Sequence, residues 1–296
     1  MKIALMDSGI GLLAAAAAIR RLRPDADLVL SSDPDGMPWG PRTPEDVTAH
    51  ALACALAAAE HRPQALIVAC NTATVHALPA LRAALEPAVP VVGTVPAIKP
   101  AAAGARKVAI WATPATTGSP YQRGLIEDFG NGAEITEVPC PGLADAVDRA
   151  DEAATAAAVA AAAALTPSDV EAVVLGCTHY ELVADRIRAA LAAPALLYGS
   201  ADAVAAQTLR RIGAEPRPYA APTGSLAVIL SGRAGAVTPE ALAYAEGRSS
   251  APPPSHPRRP RRADPSGDPR RTPPGPRRAR AISAYPPVQR CQYAVG

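Results

Sequence analysis

Two cysteines share one local context, and they are the residues of this sequence best suited to chemistry. Cys70 ends the apolar run that starts at Ala65 and is followed by NTAT, and Cys177 ends the run that starts at Ala172 and is followed by THY. An apolar run of this length predicts a buried parallel strand. Each cysteine is therefore expected at the carboxyl end of a strand, where ligands bind in open α/β sheets.

The repeated arrangement predicts two related halves that face one cleft, with one thiol on each side. An unperturbed thiol has a pKa of about 8.5, so the thiolate is accessible near neutral pH. A position beside a helix N-terminus lowers that pKa. One cysteine, as thiolate, could remove the proton from the α-carbon of a small substrate while the other donates a proton from the opposite face. This is racemisation chemistry that requires no cofactor.

Four motifs in order carry a family resemblance. They are DSG at Asp7, ACNTA around Cys70, VPAIKPA starting at Val95 and GCTHY around Cys177. With these motifs the chain from about residue 1 to 211 resembles glutamate racemase, of the cofactor-independent aspartate/glutamate racemase family. ACNTA together with GCTHY is a specific signal, whereas DSG alone would be weak.

The resemblance implies roles for individual residues. Cys70 and Cys177 would be the two acid/bases, with Asp7 assisting Cys70 and His179 assisting Cys177. The substrate's carboxylates and ammonium would be bound by four further side chains, Ser8, Asn71, Thr72 and Thr178. The resemblance also implies no cofactor, an amino acid as substrate, supply of D-glutamate for peptidoglycan, and commonly a homodimer.

The sequence departs from the family pattern at three places near the expected site. Pro38-Trp39-Gly40 lies where the family typically has Pro-Tyr-Gly. Asp148 follows Cys140-Pro141 at the spacing where the family often has a glutamate near the substrate ammonium. Leu12 replaces a usual second glycine after Gly11. These changes alter size rather than chemistry, so we expect them to affect substrate size and rate rather than the type of reaction.

Other interpretations of the same residues remain open. A buried cysteine is usually an inert apolar residue, which is the interpretation for the other three, Cys54, Cys140 and Cys291. Cys177 and His179 could be metal ligands, but no CxxC motif or histidine cluster accompanies them, and no metal site is predicted. Asp7 could simply cap a helix. The whole chain could also be an aspartate or related racemase, or a weakened homologue that only binds an amino acid or a partner.

Strand-like and helix-like segments alternate from Lys2 to Arg211, which predicts α/β structure with mostly parallel sheets. We expect two similar parallel-sheet α/β domains facing a central cleft, residues 1–98 and 99–212, with a segment 213–248 that returns to the first domain. Thr43 followed by Pro44 predicts a helix start. The alanine-rich stretch Leu143 to Leu165 predicts one helix, and Tyr180 to Leu191 predicts another.

The last part of the chain has a different composition. Residues 249–296 are rich in proline and arginine, and from Arg248 onward eleven arginines and two aspartates give a charge of +9. The rest of the chain then carries −7, because the whole chain carries +2. Such a segment cannot bury enough apolar surface to order itself, so we expect a disordered tail. Contact with nucleic acid is possible but not favoured, because no aromatic residues are interleaved with the arginine pairs.

Composition also suggests a compartment. No run of 18 or more apolar residues free of charge and proline is present, so no membrane span is predicted. The chain starts at Met1 with a strand-like segment, and no secretory signal is apparent. Five scattered cysteines do not suggest a disulfide framework. We therefore expect a cytoplasmic protein with free thiols.

Overall fold

The computed structural model describes residues 1–250, and the predicted tail from residue 251 onward lies outside the described residues. The described strands in chain order are β1 (Lys2–Asp7), β2 (Asp27–Ser32), β3 (Ala65–Val68), β4 (Val91–Gly93), β5 (Lys107–Ala112), β6 (Glu134–Pro139), β7 (Ala172–Leu175), β8 (Leu196–Tyr198), β9 (Leu226–Leu230) and β10 (Arg233–Gly235). The described helices are α1 (Leu12–Leu22), α2 (Pro44–Ala59), α3 (Asn71–Leu85), α4 (Ile98–Gly104), α5 (Pro120–Phe129), α6 (Leu143–Asp148), α7 (Glu152–Leu165), α8 (Thr178–Glu181), α9 (Ala184–Ala190), α10 (Ala201–Arg211), α11 (Pro239–Ala243) and α12 (Ala245–Ser250).

The strands form two sheets with the same internal order. The first sheet has the order β10-β9-β2-β1-β3-β4 and the second has the order β6-β5-β7-β8. Every pair is parallel except β9 with β10, which is antiparallel. The run β2-β1-β3-β4 therefore matches β6-β5-β7-β8 strand for strand. The prediction of an α/β fold with two similar parallel sheets is confirmed.

The central strands are apolar because both faces of each sheet are covered. Every residue of β3 and of β7 is buried, as expected for strands with helices on both sides. In the first half, α1 belongs to one core cluster, while α2 and α3 pack together in a second cluster on the opposite face. Helices packed on both faces hold the sheet in place, and with it the carboxyl ends of its strands.

The C-terminal segment joins both halves. Strand β9 pairs in parallel with β2, with Leu226 opposite Leu28, and α10 and α12 both pack on α1. Tyr244, however, lies in the core of the second half, and its hydroxyl donates to the carbonyl of Val147 at 2.7 Å. Segment 213–248 thus contacts the second half as well as the first sheet. The domain boundaries at 98/99 and 212/213 stay predictions.

Three details of the predicted secondary structure are corrected. The single helix expected over residues 143–165 is two helices, α6 and α7, because Ala150 has a left-handed φ of 50° and the Asp151 side chain caps α7 by accepting from the amide of Ala154. The helix expected over residues 180–191 breaks at Val183, between α8 and α9. The tail does not start at residue 249, because Ser250 belongs to α12 and is buried.

Helix α2 begins as the sequence predicts. Thr43 is its N-cap and accepts a hydrogen bond from the amide of Asp46 at 3.2 Å, with Pro44 at the first helical position. Helix α4 and strand β10 were not predicted. Within the part of the chain that the structure describes, no helix combines the length and apolar character that crossing a membrane requires.

Candidate active site

A cavity of about 370 Å³ lies where the carboxyl ends of the two sheets face each other. All but one of the predicted site residues line it, namely Asp7, Ser8, Pro38, Trp39, Gly40, Cys70, Asn71, Thr72, Cys177, Thr178 and His179. The exception is Asp148. Residues separated by more than 100 positions in the sequence thus meet in one cleft, because equivalent strand ends of the two halves approach each other.

The two cysteines occupy the same backbone position in their halves. Cys70 is the N-cap of α3 with φ −141° and ψ 119°, and Cys177 is the N-cap of α8 with φ −138° and ψ 135°. The residue before each cysteine extends the strand pairing. The amide of Ala69 donates to Met6 and the amide of Gly176 donates to Trp111, both at 2.8 Å. The repeated strand ends therefore present two thiols in the same way to one cavity.

This equivalence corrects one detail of the sequence alignment between the halves. Counting from the shared N-cap position, Asn71 corresponds to Thr178 and Thr72 corresponds to His179. From the sequence alone, the similar stretches after the two cysteines roughly match Thr72 with Thr178, one position away. The correction places a histidine in one half where the other half has a threonine, so the two thiols have different neighbours.

Two glycines make close approaches in the site possible. A Cβ on Gly176 would lie 2.8 Å from the carbonyl oxygen of Trp111, so a side chain there would push Cys177 away from the sheet. A Cβ on Gly11 would lie 2.5 Å from Asp7 Oδ2 and 2.6 Å from His179 Nδ1. Glycine is therefore required at position 11 for these two side chains to approach each other. The neighbouring Leu12 is buried in the core of the first half and does not line the cavity.

Cys70 faces a buried carboxyl group. Asp7 ends β1 and is fully buried, and its charge acts on the neighbouring Cys70 thiol. Burial raises the pKa of Asp7, although the charge of His179 first and the nearby Cys70 thiol second oppose this. Burial first, and the negative charge of Asp7 second, raise the pKa of Cys70 well above its ordinary value. Cys70 is therefore a neutral thiol when no substrate is bound.

Cys177 faces a histidine instead. Its Sγ lies 3.9 Å from Nδ1 of His179, and Nε2 of the same ring lies 3.2 Å from Oδ1 of Asp148. Burial acts to lower the pKa of His179, but the hydrogen bonds to Asp148 and Cys177 and the charge of Asp7 outweigh it and raise that pKa well above its ordinary value. Burial acts to raise the pKa of Asp148, but the hydrogen bond and charge of His179, with the amide of Ile10 and the charge of Arg149, together outweigh it and lower that pKa. The geometry therefore favours an imidazolium beside Cys177.

Asp148 stands behind His179 and does not line the cavity, so its contact with the substrate ammonium stays a prediction. The same oxygen that faces His179 also accepts from the amide of Ile10 at 2.9 Å. The carboxylate is thus engaged by the protein on the far side of the histidine. Asp145, one helical turn earlier in α6, lines the cavity instead. Asp145 and Asp148 are three residues apart, so both lie on one face of the helix that follows Cys140-Pro141. This helical spacing is the sequence pattern that could have identified Asp145 as a site residue.

A pair of threonines was also missed. Thr113 and Thr116 line the cavity from the turn after β5, and their hydroxyl oxygens are 3.2 Å apart. Thr113 directly follows β5, just as Ser8 directly follows β1. The strand equivalence between the halves therefore predicts a polar residue at this place, but only once the strand order is known.

Asn71 and Cys140 are two lining residues with further contacts of their own. Asn71 Nδ2 donates to the carbonyl of Gly176 at 2.6 Å, which ties the two cysteine turns together across the cleft. Its amide oxygen is buried and accepts no hydrogen bond from the described residues. Cys140 also lines the cavity, and its burial, followed by the charge of Cys177, raises its pKa to about 12. Its interpretation as inert stays a prediction.

Metal coordination has no support in the grouping of the side chains. Within residues 1–250, no three or more histidine, cysteine, aspartate or glutamate side chains are placed to hold a metal ion. The ionisable side chains at the cavity follow one another in the order Cys70, Asp7, His179 and Cys177. Asp7 Oδ2 lies 3.9 Å from His179 Nδ1, so the partner of one thiol faces the partner of the other. This arrangement suits proton transfer at a substrate held between the thiols.

Comparison with known proteins agrees with this geometry. Residues 11–208 match the family described as Asp/Glu/Hydantoin racemase. The chain is 36% identical over 208 residues to a glutamate racemase of Roseiflexus sp. (strain RS-1), covering 69% of this chain and 76% of the relative. It is 36% identical over 210 residues to a glutamate racemase of Vibrio campbellii (strain ATCC BAA-1116), covering 69% and 77% respectively.

A solved structure supports the same assignment. The crystal structure of Escherichia coli glutamate racemase, in complex with L-glutamate and the activator UDP-MurNAc-Ala, has a TM-score of 0.71 and 29% sequence identity to this chain. The match covers 81% of this chain and 91% of the E. coli chain. The resemblance that the motifs indicated is confirmed. The family match over two thirds of the sequence and the similarity to these relatives show that this chain belongs to the Asp/Glu/Hydantoin racemase family.

Proposed function

We propose that this protein is a glutamate racemase that interconverts L- and D-glutamate by proton transfer between two thiols, without a cofactor. The observation that carries the proposal is the pair Cys70 and Cys177. They are N-caps with matching backbone angles, one from each half, and both line the same cavity. The relatives named glutamate racemase make glutamate the substrate of choice.

The surroundings of the thiols support different starting roles. The α-proton of an amino acid is very weakly acidic, so a base must be held against it. His179 as imidazolium stabilises negative charge on Cys177, which then removes the proton. Cys70, kept neutral by burial and by Asp7, donates its proton to the opposite face of the α-carbon. The reverse reaction uses the same groups with the protonation states of the two thiols exchanged.

The charge of the lining indicates how the substrate would be held. None of the described residues that line the cavity is lysine or arginine. The two carboxylates of glutamate would then be bound by neutral donors, which are the four predicted residues Ser8, Asn71, Thr72 and Thr178, together with Thr113 and Thr116. The amide groups at the N-terminus of the 15-residue helix α3 add further donors for an anion.

The substrate ammonium needs an acceptor, and Asp145 is suited to this role. It lines the cavity, and its side chain makes no hydrogen bond or ion pair with any described residue. Asp148, in contrast, already pairs with His179. We therefore assign the ammonium contact to Asp145 and the unpaired amide oxygen of Asn71, and give Asp148 the role of orienting His179.

The proposal is tested by following solvent deuterium at low conversion. In D2O the donating thiol carries deuterium, whereas the accepting thiol holds the proton it has just removed. The product should be almost fully deuterated at the α-carbon and the remaining substrate almost unlabelled, starting from either enantiomer. Mass spectrometry of the separated enantiomers measures both pools. Substantial early label in the recovered substrate from both directions would contradict two opposed thiols.

A racemisation assay distinguishes glutamate racemase from the two alternatives, a related racemase and a homologue that only binds. Purified protein is given glutamate or aspartate with no added cofactor. Faster turnover of aspartate would favour the related racemase, and binding without turnover would favour the weakened homologue. We further propose, from the family resemblance, that the protein supplies D-glutamate for peptidoglycan in the cytoplasm. A homodimer, and contact of the basic tail with nucleic acid, stay predictions.

A further inference from the structure

Trp39 forms one wall of the cavity, and a residue that does not line the cavity holds its side chain in place. Trp39 lines the cavity, is 2% exposed, and its Nε1–H donates to Oδ2 of Asp33 at 3.1 Å. The single polar group of the indole is therefore used by the protein. Trp39 can offer a bound substrate only an apolar surface, so it sets the shape of the cavity and does not form hydrogen bonds there.

Asp33 is the centre of a network that fixes this wall. It is buried, and its Oδ2 also lies 2.7 Å from Nδ1 of His50, whose ring centre is 6.1 Å from that of Trp39. Its other oxygen, Oδ1, accepts from the hydroxyl of Ser231 at 3.0 Å. A buried carboxylate is tolerated only when its oxygens are paired in this way. Both oxygens are occupied, which fixes the carboxylate and with it the indole.

One of these partners comes from the far end of the described chain. Ser231 lies in the turn between β9 and β10, and its amide donates to the carbonyl of Ser32 at 2.8 Å. Its hydroxyl oxygen also accepts from the amide of Asp35 at 3.1 Å. The hairpin of β9 and β10 is thus bonded to both sides of Asp33, at the start of the loop that carries Trp39.

We propose that Asp33 is a positioning residue that holds Trp39 and thereby limits the length of substrate that the cavity accepts. In this proposal the β9–β10 hairpin helps to hold Asp33 in place through the hydroxyl of Ser231. The role in substrate choice rests on the proposed racemase function. The position of the indole does not, and it is measured separately. If Asp33 is removed, three donors lose their acceptor and the indole is free to turn, which widens the cavity.

Fluorescence measures the indole directly. The chain has two tryptophans, so a Trp111→Phe protein retains Trp39 as the sole reporter. In that background Asp33→Ala should shift the emission to longer wavelength and raise quenching by acrylamide severalfold, because the indole gains contact with water. Asp33→Asn keeps an acceptor for the indole and should show a smaller shift, as should Ser231→Ala. Unchanged emission and quenching in Asp33→Ala would overturn the proposal, whatever the activity.

A matched control lies two residues away. Asp35 pairs with Arg233 on the surface, and the indole of Trp39 donates to Asp33 rather than to Asp35. Asp35→Asn changes the charge of the same loop by the same amount, so its emission, KM and kcat should stay at wild-type values. If Asp35→Asn matched Asp33→Ala in emission, a general loosening of the loop would replace the specific role of Asp33.

Kinetics then test substrate choice. Asp33→Ala should raise KM for glutamate about tenfold with a smaller change in kcat, since the chemical groups are untouched. Relative turnover of 2-aminoadipate, which is one methylene longer, should rise. In a double-mutant cycle, Asp33→Ala should have little effect on kcat/KM once Trp39 is Phe, because the bond it supports is already gone. Additive effects would contradict positioning through Trp39. If Asp33→Ala shifts the emission but the wild-type protein racemises no substrate, the positioning role of Asp33 is retained and the proposed racemase function is rejected.

Discussion

The two halves of this protein share a strand order and a cysteine turn, yet they surround their cysteines with different groups. In the first half β1 ends in Asp7, whose charge acts on Cys70, whereas β5 ends at the corresponding place in Ala112. In the second half His179 accompanies Cys177, whereas the corresponding residue of the first half is Thr72. The shared scaffold places two thiols symmetrically, and the unshared neighbours give them different electrostatic surroundings.

The comparison also shows which has the larger effect on the pKa of a thiol, a helix N-terminus or burial beside a negative charge. Cys70 caps a helix of 15 residues and Cys177 one of four. A helix N-terminus favours negative charge by about 0.3–1 kcal/mol, so the helix alone would make Cys70 the more acidic thiol. Its pKa is nevertheless raised, because burial and the Asp7 charge act against ionisation. Burial and a close charge therefore outweigh the helix dipole in this cleft.

The largest expected effect comes from removing either thiol. Cys70→Ser and Cys177→Ser should each lower kcat by about a thousandfold or more in both directions, since a hydroxyl is a far poorer proton donor and acceptor at neutral pH. Racemisation followed by circular dichroism measures both directions. Cys54→Ser is the control, because Cys54 is buried away from the cavity, and its rate should be unchanged. Turnover near wild type in either of the first two variants would end the two-thiol proposal.

A smaller but still large effect is expected at Gly11. Gly11→Ala introduces a methyl group into the space between Asp7 and His179, where it would meet both side chains. We expect kcat to fall about a hundredfold, because the groups that serve both thiols are displaced together. The rate is compared with that of Gly124→Ala, a helix glycine whose Cβ would meet no atom within 4 Å. Equal rates for the two variants would show that the approach of Asp7 to His179 is not needed.

Asp148→Asn should have an intermediate effect with a distinctive pH dependence. The raised pKa of His179 stabilises the fold fully below its ordinary value of about 6.5, and this contribution is lost as pH rises through the raised value. Without the Asp148 charge that raised pKa falls back toward 6.5, so the contribution is smaller and its loss is complete at lower pH. Thermal unfolding measured across neutral and alkaline pH should show a smaller decline in stability than wild type, complete at lower pH.

The activity of the same variant should change in parallel. We expect about a tenfold loss in kcat and an alkaline limb of the pH–rate profile displaced to lower pH. Asp145→Asn is the matched control, since it removes a carboxylate of the same helix that does not bond His179. It should raise KM and leave the pH profile unchanged. A wild-type pH profile for Asp148→Asn would show that Asp148 does not act through His179.

The smallest effect is expected at the third cysteine of the cavity. Cys140 is buried, and its thiol donates to the carbonyl of Val138 at 3.5 Å. With its pKa raised to about 12, it is protonated at neutral pH and has no role in the proposed transfer. Cys140→Ser should keep kcat within about threefold of wild type. A loss comparable to that of Cys177→Ser would require a third thiol in the mechanism.

The sequence predicted what depends on local pattern. The apolar runs before Cys70 and Cys177 define two strands, and the Thr43-Pro44 pair marks the start of α2. The break between α6 and α7 was missed because an alanine-rich stretch has high helix propensity throughout, and a single residue with left-handed φ interrupts it. That break fixes where α6 ends, and hence that Asp148 faces His179.

The rest of the site depends on contacts without a local signal. The bond from Ser231 to Asp33 joins residues 198 positions apart, and neither residue belongs to a motif. Asp145 and Thr113 join the lining only because the two sheets face each other. Composition and periodicity describe elements one at a time, so they cannot show which side chains meet when two elements from distant parts of the chain pack together.

The pairing of β9 with β2 has a consequence for how the chain is made. The four strands of the second sheet come from one uninterrupted stretch, residues 107–198, so that sheet can assemble as soon as this stretch has left the ribosome. The first sheet begins earlier and is completed later, because the outer edge of β2 stays unpaired until residues 226–230 are synthesised. An open edge of this kind is a template for pairing with other chains. The N-terminal half is thus the last to be closed and the more exposed to aggregation during synthesis.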